Sequence, residues 1–319
     1  MRILIAGGTS FIGRAIAASA WRQGHDVTVV NRGLTPTDLP EGVERLVGDR
    51  RGDLSALSGR GFDACIDTIA YRPGDVEALA TALNGQGGHH LQISSVSAYR
   101  EPMSSGSTEA DLELWDGVGL DLAAPITNET YGPLKAASER RAADLFGADT
   151  TFVRPTYVIG GHDATLRFPY WVQRARRGGT VAVPGPREAA LQYVDARDLA
   201  EFVVRLVSNG VVGAFHTTGP NPPATYVETV ERVTRQLSPR ARVVVVEPER
   251  VREAGLALKF PLWPEDDWNS STLDNSLALA HGLQLRPIEQ SVNDVVRWWG
   301  EREWPEWWLS DDEQRTLLG

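Results

Sequence analysis

In the stretch "NETYGPLKAASERRAADLF", Tyr131 and Lys135 stand four residues apart at a helix start. One helical turn sets both side chains on one face. An ammonium beside a phenol favours the phenolate and draws its pKa from about 10 toward neutrality, as a general acid/base requires. A surface tyrosine beside a surface lysine shows the same spacing, so the pair alone does not decide. Ser95 shifts the balance. It falls at the C-terminal end of a predicted strand in the same sheet. A hydroxyl there can hydrogen-bond the substrate oxygen that the tyrosine protonates. Ser95, Tyr131 and Lys135 are the candidate catalytic set.

A second chemistry-bearing stretch opens the chain, "MRILIAGGTSFIGRAIAASAWRQGHDVTVVNRG". Ile3–Ala6 form a continuous apolar run suited to a strand buried on both faces. Helical spacing begins at Phe11, Gly24 ends it, and a second strand follows at Val27. The two glycines between strand and helix, Gly7 and Gly8, permit close approach of a ligand to backbone. The helix start supplies unpaired N–H groups and a partial positive charge, a site for a pyrophosphate. Gly7 and Gly13 keep the outer spacing of a dinucleotide loop, whereas Ser10 replaces its middle glycine. A plain structural turn would use the same glycines, but the junction of first strand and first helix favours a cofactor. Gly7, Thr9, Ser10, Phe11, Ile12 and Gly13 are therefore assigned to cofactor binding. At the end of the second strand, where NAD-specific folds place an acidic residue for the ribose 2′-hydroxyl, stand Asn31 and Arg32. No carboxylate repels a 2′-phosphate there, and a guanidinium can pair with one, so NADP(H) is expected over NAD(H).

Such residues need a frame. Strands are predicted at Arg2–Ala6, Val27–Asn31, Glu44–Val47, Ala64–Thr68, His90–Ser94 and Thr151–Arg154, with helices at Phe11–Gln23, Asp75–Leu83 and Gly132–Phe146. Their alternation predicts an α/β fold, a doubly wound parallel (Rossmann) sheet binding ligands beyond the C-terminal strand ends. Residues 1–155, completed by about 190–218, are expected to form the dinucleotide-binding domain. Residues 156–189 and 219–319 are expected to form a smaller C-terminal α/β substrate lobe closing over the cleft.

The bulk properties bound the function. A 319-residue chain with 42% hydrophobic residues has material for a sizeable core. No apolar run approaches the roughly 20 residues of a membrane span, so no membrane association is expected. The chain runs straight into a strand, so no signal peptide is expected, and Cys65 is the only cysteine. Both favour a cytoplasmic location. A net charge of −10 argues against nucleic acid as a partner. Metal chemistry has no support, since His89 and His90 lack carboxylates at ligand spacing. Between Ser95 and Tyr131 runs a loop with seven carboxylates and no lysine or arginine from Glu101 to Glu129. It is read as a solvated acidic loop, or more sharply as a lid with Trp115 as an apolar contact. Five tryptophans crowd "VVRWWGEREWPEWWLSDDE".

The chain resembles the extended short-chain dehydrogenase/reductases from Met1 to about Gly300. The likeness lies in the glycine loop, Gly48–Asp49, "ISSVSAY", "YGPLK", "VRPTYVIGG" and "GLQLRPIEQSV". Its loop "GGTSFIG" is similar to an atypical G-G-x-x-x-x-G subgroup that includes epimerase-like enzymes and relatives of chloroplast stem-loop RNA-binding proteins. By resemblance, Tyr131 passes the proton, Ser95 holds the reacting oxygen, and Lys135 binds the nicotinamide ribose while tuning Tyr131. Asp49 would accept from the adenine amine, Thr68 and Ala70 would line the cofactor, and Pro155 would back the nicotinamide amide. For Asp49 a turn role is a rival reading, and for Thr68 and Ala70 an ordinary strand-end role. Where nucleotide-sugar members carry an asparagine and an arginine, this chain has Tyr157 and Leu191. Losing both polar contacts argues against a nucleotide sugar; Arg187 and Arg286 could compensate only in part. The expected function is hydride transfer to or from a small hydroxyl or carbonyl compound. An epimerase or dehydratase with tightly held NAD(P) is the alternative within the class. A non-enzymatic NAD(P)-sensing or RNA-associated protein is the alternative outside it. The superfamily pairs through helices like Gly132–Phe146, which implies a homodimer.

Overall fold

A computed structural model of the chain describes residues 1–36, 38–265 and 269–319. The first half alternates β1 (Arg2–Ala6), α1 (Phe11–Arg22), β2 (Asp26–Asn31), β3 (Glu44–Val47), β4 (Ala64–Asp67), α2 (Pro73–Leu83), β5 (His89–Ile93), α3 (Asn128–Phe146) and β6 (Thr150–Pro155). Together with the strand Gly213–Thr217 these make one seven-stranded sheet, in the order β3, β2, β1, β4, β5, β6 and Gly213–Thr217. Every pairing is parallel. Strand order reverses between β1 and β4, so a crevice opens beyond the ends of these strands, as in a Rossmann sheet. Ile3, Leu4 and Ile5 are completely buried. That explains a continuous apolar run in place of alternation, because helices cover both faces.

Two compact units divide the chain. The first comprises Met1–Thr156, Ala196–Thr218 and Leu273–Gln284; the second comprises Tyr157–Asp195, Gly219–Thr272 and Leu285–Gly319. Residues 273–284, assigned by sequence to the C-terminal lobe, pack in the first unit. Asn275 donates to the carbonyl of Thr218 at 2.6 Å, and the Asp274 carbonyl lies 2.8 Å from His216 Nδ1. Residues 190–195 fall in the second unit, because Ala190–Leu191 pair antiparallel with Ala224–Thr225 and Tyr193–Asp195 pair with Tyr157–Ile159. The tryptophans of the C-terminal stretch are mostly core material of this second unit. Trp299 stacks on Trp308 at 5.2 Å, and Trp304 meets Trp308 edge-on at 4.7 Å. Among the described residues no helix is long and apolar enough to cross a membrane.

Helix α3 starts at Asn128, four residues before the expected Gly132. Thr127 caps it, accepting from Thr130 N, while the Thr130 hydroxyl accepts from Thr127 N. Tyr131 therefore lies in the first full turn, on already regular helix.

One core residue sets an acid limit on the fold. His90 in β5 is fully buried and stacked flat on Phe146 at 3.9 Å, and neither ring nitrogen has a hydrogen-bond partner among the described residues. Burial pushes its pKa down to about 4, with Asp67 opposing. The folded value lies below the unfolded one, so the neutral ring's contribution is present above about 6.5 and lost as pH falls toward 4. His90→Leu should flatten the urea-unfolding profile between pH 6.5 and 4, retaining roughly 2–3 kcal/mol over wild type at the acid end. Parallel profiles for the two proteins would contradict this account.

Candidate cofactor cleft and catalytic cluster

A cleft of about 450 Å³ lies beyond the ends of β1, β2 and β3, within the first unit. Of the residues assigned to a cofactor, Gly7, Thr9, Ser10, Asn31, Arg32 and Asp49 line it. The glycine loop is shaped by what approaches it. Gly7 has φ +89°, and a Cβ there would meet Thr68 Oγ1 at 2.5 Å and the Ile69 side chain at 2.7 Å. Gly7 is thus fixed by the neighbouring strand end. Ser10 precedes α1 with extended backbone and makes no side-chain cap, so the helix's first N–H groups face the cleft end uncapped by it.

Several other assigned residues serve the protein's own structure. Phe11 and Ile12 begin α1. Gly13 packs against the Gly7 carbonyl, where a Cβ would sit at 2.2 Å. Thr68 donates to the Ala6 carbonyl at 2.9 Å, Ala70 is buried, and Pro155 closes β6. None of these six lines the cleft. Asp49 does double duty, accepting from Arg51 N at 3.0 Å as a turn residue does.

The catalytic candidates gather on α3 and the turn after β5. Gly132, between Tyr131 and Lys135, lets the helix press on that turn: a Cβ would lie 2.2 Å from the Ser97 carbonyl. Ser95 caps the turn, its hydroxyl accepting from Ser97 N at 3.1 Å and donating to Ser97 Oγ at 3.2 Å. Lys135 is buried, and its Nζ donates to the carbonyls of Ala70, in the loop after β4, at 2.9 Å and of Ile93, at the end of β5, at 2.8 Å. Burial pushes its pKa down to about 8, against the pull of Asp67 and Glu139. The ring beneath the ammonium belongs to Tyr71, whose centroid lies 5.0 Å from Nζ and 6.4 Å from that of Tyr131. Tyr71 also lines the cleft. It joins the cleft and the candidate catalytic pair; by sequence it stands among the strand-end residues Thr68–Tyr71 that suit a cleft, but without a role of its own.

Two buried networks were also missed. At the cleft, Arg50 is locked bidentate on Asp67 by bonds of 2.9 and 3.1 Å. Behind the catalytic turn, Arg154 donates to both carboxylate oxygens of Glu139 (3.0 and 2.5 Å) and to the Tyr99 hydroxyl at 2.7 Å. Tyr99 lies 2.7 Å from His216 Nε2. The Asp274 carbonyl can only accept, so Nδ1 of His216 carries the proton and Nε2 accepts from Tyr99. Burial lowers the His216 pKa, with Glu109 opposing, which keeps the ring neutral as this pattern needs. Glu109 is the exception in the acidic loop: its carboxylate turns inward and accepts from His216 N at 2.6 Å. Trp115 is half-buried beside Gly132, its backbone N–H bonded to the Ala98 carbonyl, so it packs on the catalytic turn. Arg187 pairs with Glu231 at 3.0 Å and Arg286 lies 3.8 Å from Asp195, so each candidate for a substrate diphosphate already faces a carboxylate.

The family model "NAD dependent epimerase/dehydratase family" matches residues 3–216. A chloroplast stem-loop binding protein of 41 kDa from Arabidopsis thaliana is 25% identical over 224 residues, 65% of this chain and 55% of that protein. The chain thus spans about half the length of that relative. The 2′-dehydrokanamycin reductase of Streptomyces kanamyceticus is 26% identical over 314 residues, 93% of this chain and 84% of the reductase. The crystal structure of the Bordetella bronchiseptica enzyme WbmH in complex with NAD+ shares the fold with TM-score 0.65 at 19% identity, covering 94% of this chain and 98% of that one.

The Arg154–Glu139 pair predicts a large asymmetry between breaking it and leaving it intact. Glu139→Ala strands a buried guanidinium and should cost roughly 3–5 kcal/mol in chemical denaturation. A loss below about 1 kcal/mol would show that the pair is not buried as described.

Proposed function

The chain belongs to the NAD dependent epimerase/dehydratase family, and on that premise we propose that it is an NADP(H)-dependent oxidoreductase acting on a small, uncharged hydroxyl or carbonyl compound. The observation that carries the reading is Lys135: a buried ammonium, held by two carbonyls, on the same helical turn as Tyr131 and beside the cleft residue Tyr71. The cleft residues fit a dinucleotide. An uncapped helix start and a glycine turn suit a pyrophosphate, and Arg32 and Arg51 have no ion-pair or hydrogen-bond partner for their guanidinium groups among the described residues. These two would take the 2′-phosphate; Arg51 joins Arg32 through its place in the cleft. Bound NADP(H) would supply or accept the hydride.

The chain's own groups handle the proton. Tyr131 gives it to the substrate oxygen during reduction, and Ser95 donates a hydrogen bond to that oxygen. Lys135 keeps its third N–H for the ribose and stabilises the tyrosinate left behind. Its folded pKa lies below the ordinary lysine value of 10.5. The ammonium is therefore complete below about 8 and lost above it, and its burial cost is relieved as pH rises from 8 toward 10.5. A neutral substrate is favoured because Arg187 and Arg286 already face carboxylates and because Tyr157 and Leu191 offer no charge.

Tyr131→Phe should lower kcat by about 10²–10⁴-fold while NADPH affinity stays within a few-fold, since it removes a proton donor and no phosphate contact. Activity above about a tenth of wild type would overturn the assignment. Salt-sensitive binding of structured RNA without any turnover would favour a binding protein instead.

A further inference from the structure

We propose that Arg50 is the platform on which the adenine of the cofactor lies, an inference that rests on the cofactor reading above. Arg50 lines the cleft, yet its side chain is only 9% exposed, and its partner Asp67 is wholly buried. Nη1 donates to Asp67 Oδ2 at 3.1 Å and to the Asp75 carbonyl at 3.1 Å, and Nη2 donates to Asp67 Oδ1 at 2.9 Å. Asp67 Oδ1 accepts also from Ile69 N at 3.0 Å. The Nη1–Nη2 edge of the guanidinium is therefore committed, leaving only Nε–H and one Nη2–H at its side, and its charge is matched by a carboxylate. Burial alone would lower its pKa, but Asp67 more than offsets that.

A group held in this way cannot clamp a phosphate head-on without breaking the bond to Asp67. It offers a flat, fixed, weakly hydrated face, on which a base stacks well. The surroundings suit a base too. Leu54, Ile69 and Leu79 supply apolar walls at the same cleft, and Asp49 stands one residue away as an acceptor. A plain brace between the β3 loop and α2 could be built from two leucines, since a buried ion pair repays its desolvation poorly. The cleft thus divides its arginines: Arg32 and Arg51 for the phosphate, Arg50 for the ring.

The test uses fragments of the cofactor. AMP carries the adenine, and nicotinamide mononucleotide lacks it. In the double variant Arg50→Met/Asp67→Asn, which removes both buried charges together, calorimetry should show AMP weakened by about tenfold or more. Nicotinamide mononucleotide should stay within twofold. AMP affinity kept within twofold, in a variant melting like wild type, overturns the proposal. If the variant does not fold, the wild-type protein with labelled arginine decides: an NOE from Arg50 Nε–H to adenine H2 or H8 in the AMP complex supports it, and its absence overturns it. Wild type that binds neither AMP nor NADPH overturns this inference together with the cofactor reading, whereas NADPH binding that is insensitive to Arg50 overturns this inference alone.

Discussion

Glu139 lies one helical turn beyond Lys135 on α3, and the arrangement of the candidate catalytic groups depends on the guanidinium it holds. Arg154 ends its reach on Tyr99, Tyr99 on His216, and His216 on the Asp274 carbonyl. That single chain ties α3, the turn that begins at Ser95, β6, the strand Gly213–Thr217 and the segment Leu273–Gln284. Each member is satisfied only if His216 is neutral and Tyr99 protonated. Burial enforces both states, lowering the one pKa and pushing the other up to about 12. Partly satisfied networks of this kind are costly, so the arrangement locks as a whole. Rigidity here would serve the proposed chemistry, in which Tyr131 and Ser95 meet one oxygen.

The charge of Lys135 follows from the same kind of burial. Lys135 gives two of its N–H groups to the carbonyls of Ala70 and Ile93 and sits above the Tyr71 ring. Its lowered pKa is the cost of standing in a dry place, offset in part by Glu139 and Asp67. Each of these carboxylates is also bound by an arginine, Arg154 and Arg50 respectively. The two arginine–carboxylate pairs, one at the cleft and one behind the turn at Ser95, are therefore electrostatically linked through one ammonium.

Much of the fold was legible because buried parallel strands announce themselves as apolar runs: β1 has the bounds the pattern gave, and β2, β4, β5 and β6 differ by a residue or so. The helix start at Asn128 was not, since Thr127 and Thr130 form a capping box without the usual glutamate. Pairwise spacing along one helix exposed Tyr131 and Lys135. It could not expose Tyr71, Arg50 or the Tyr99–His216 pair, which meet their partners only across strands far apart in sequence. Asp67 hid for a related reason: a carboxylate inside an apolar strand reads as a strand end until its arginine is known. The glycines carried a mixed message, because Gly7 and Gly13 are required by protein contacts even where a ligand is also expected.

The claim on which the functional account stands is that the cleft is an NADP(H) site with Arg32 at the 2′-phosphate. Fluorescence titration of NADPH and NADH into wild type and Arg32→Ala tests it directly. The account predicts tighter binding of NADPH than NADH by wild type, a loss of roughly 1.5–3 kcal/mol for NADPH in the variant, and little change for NADH. Equal losses for both cofactors, or wild type that prefers NADH, would contradict it.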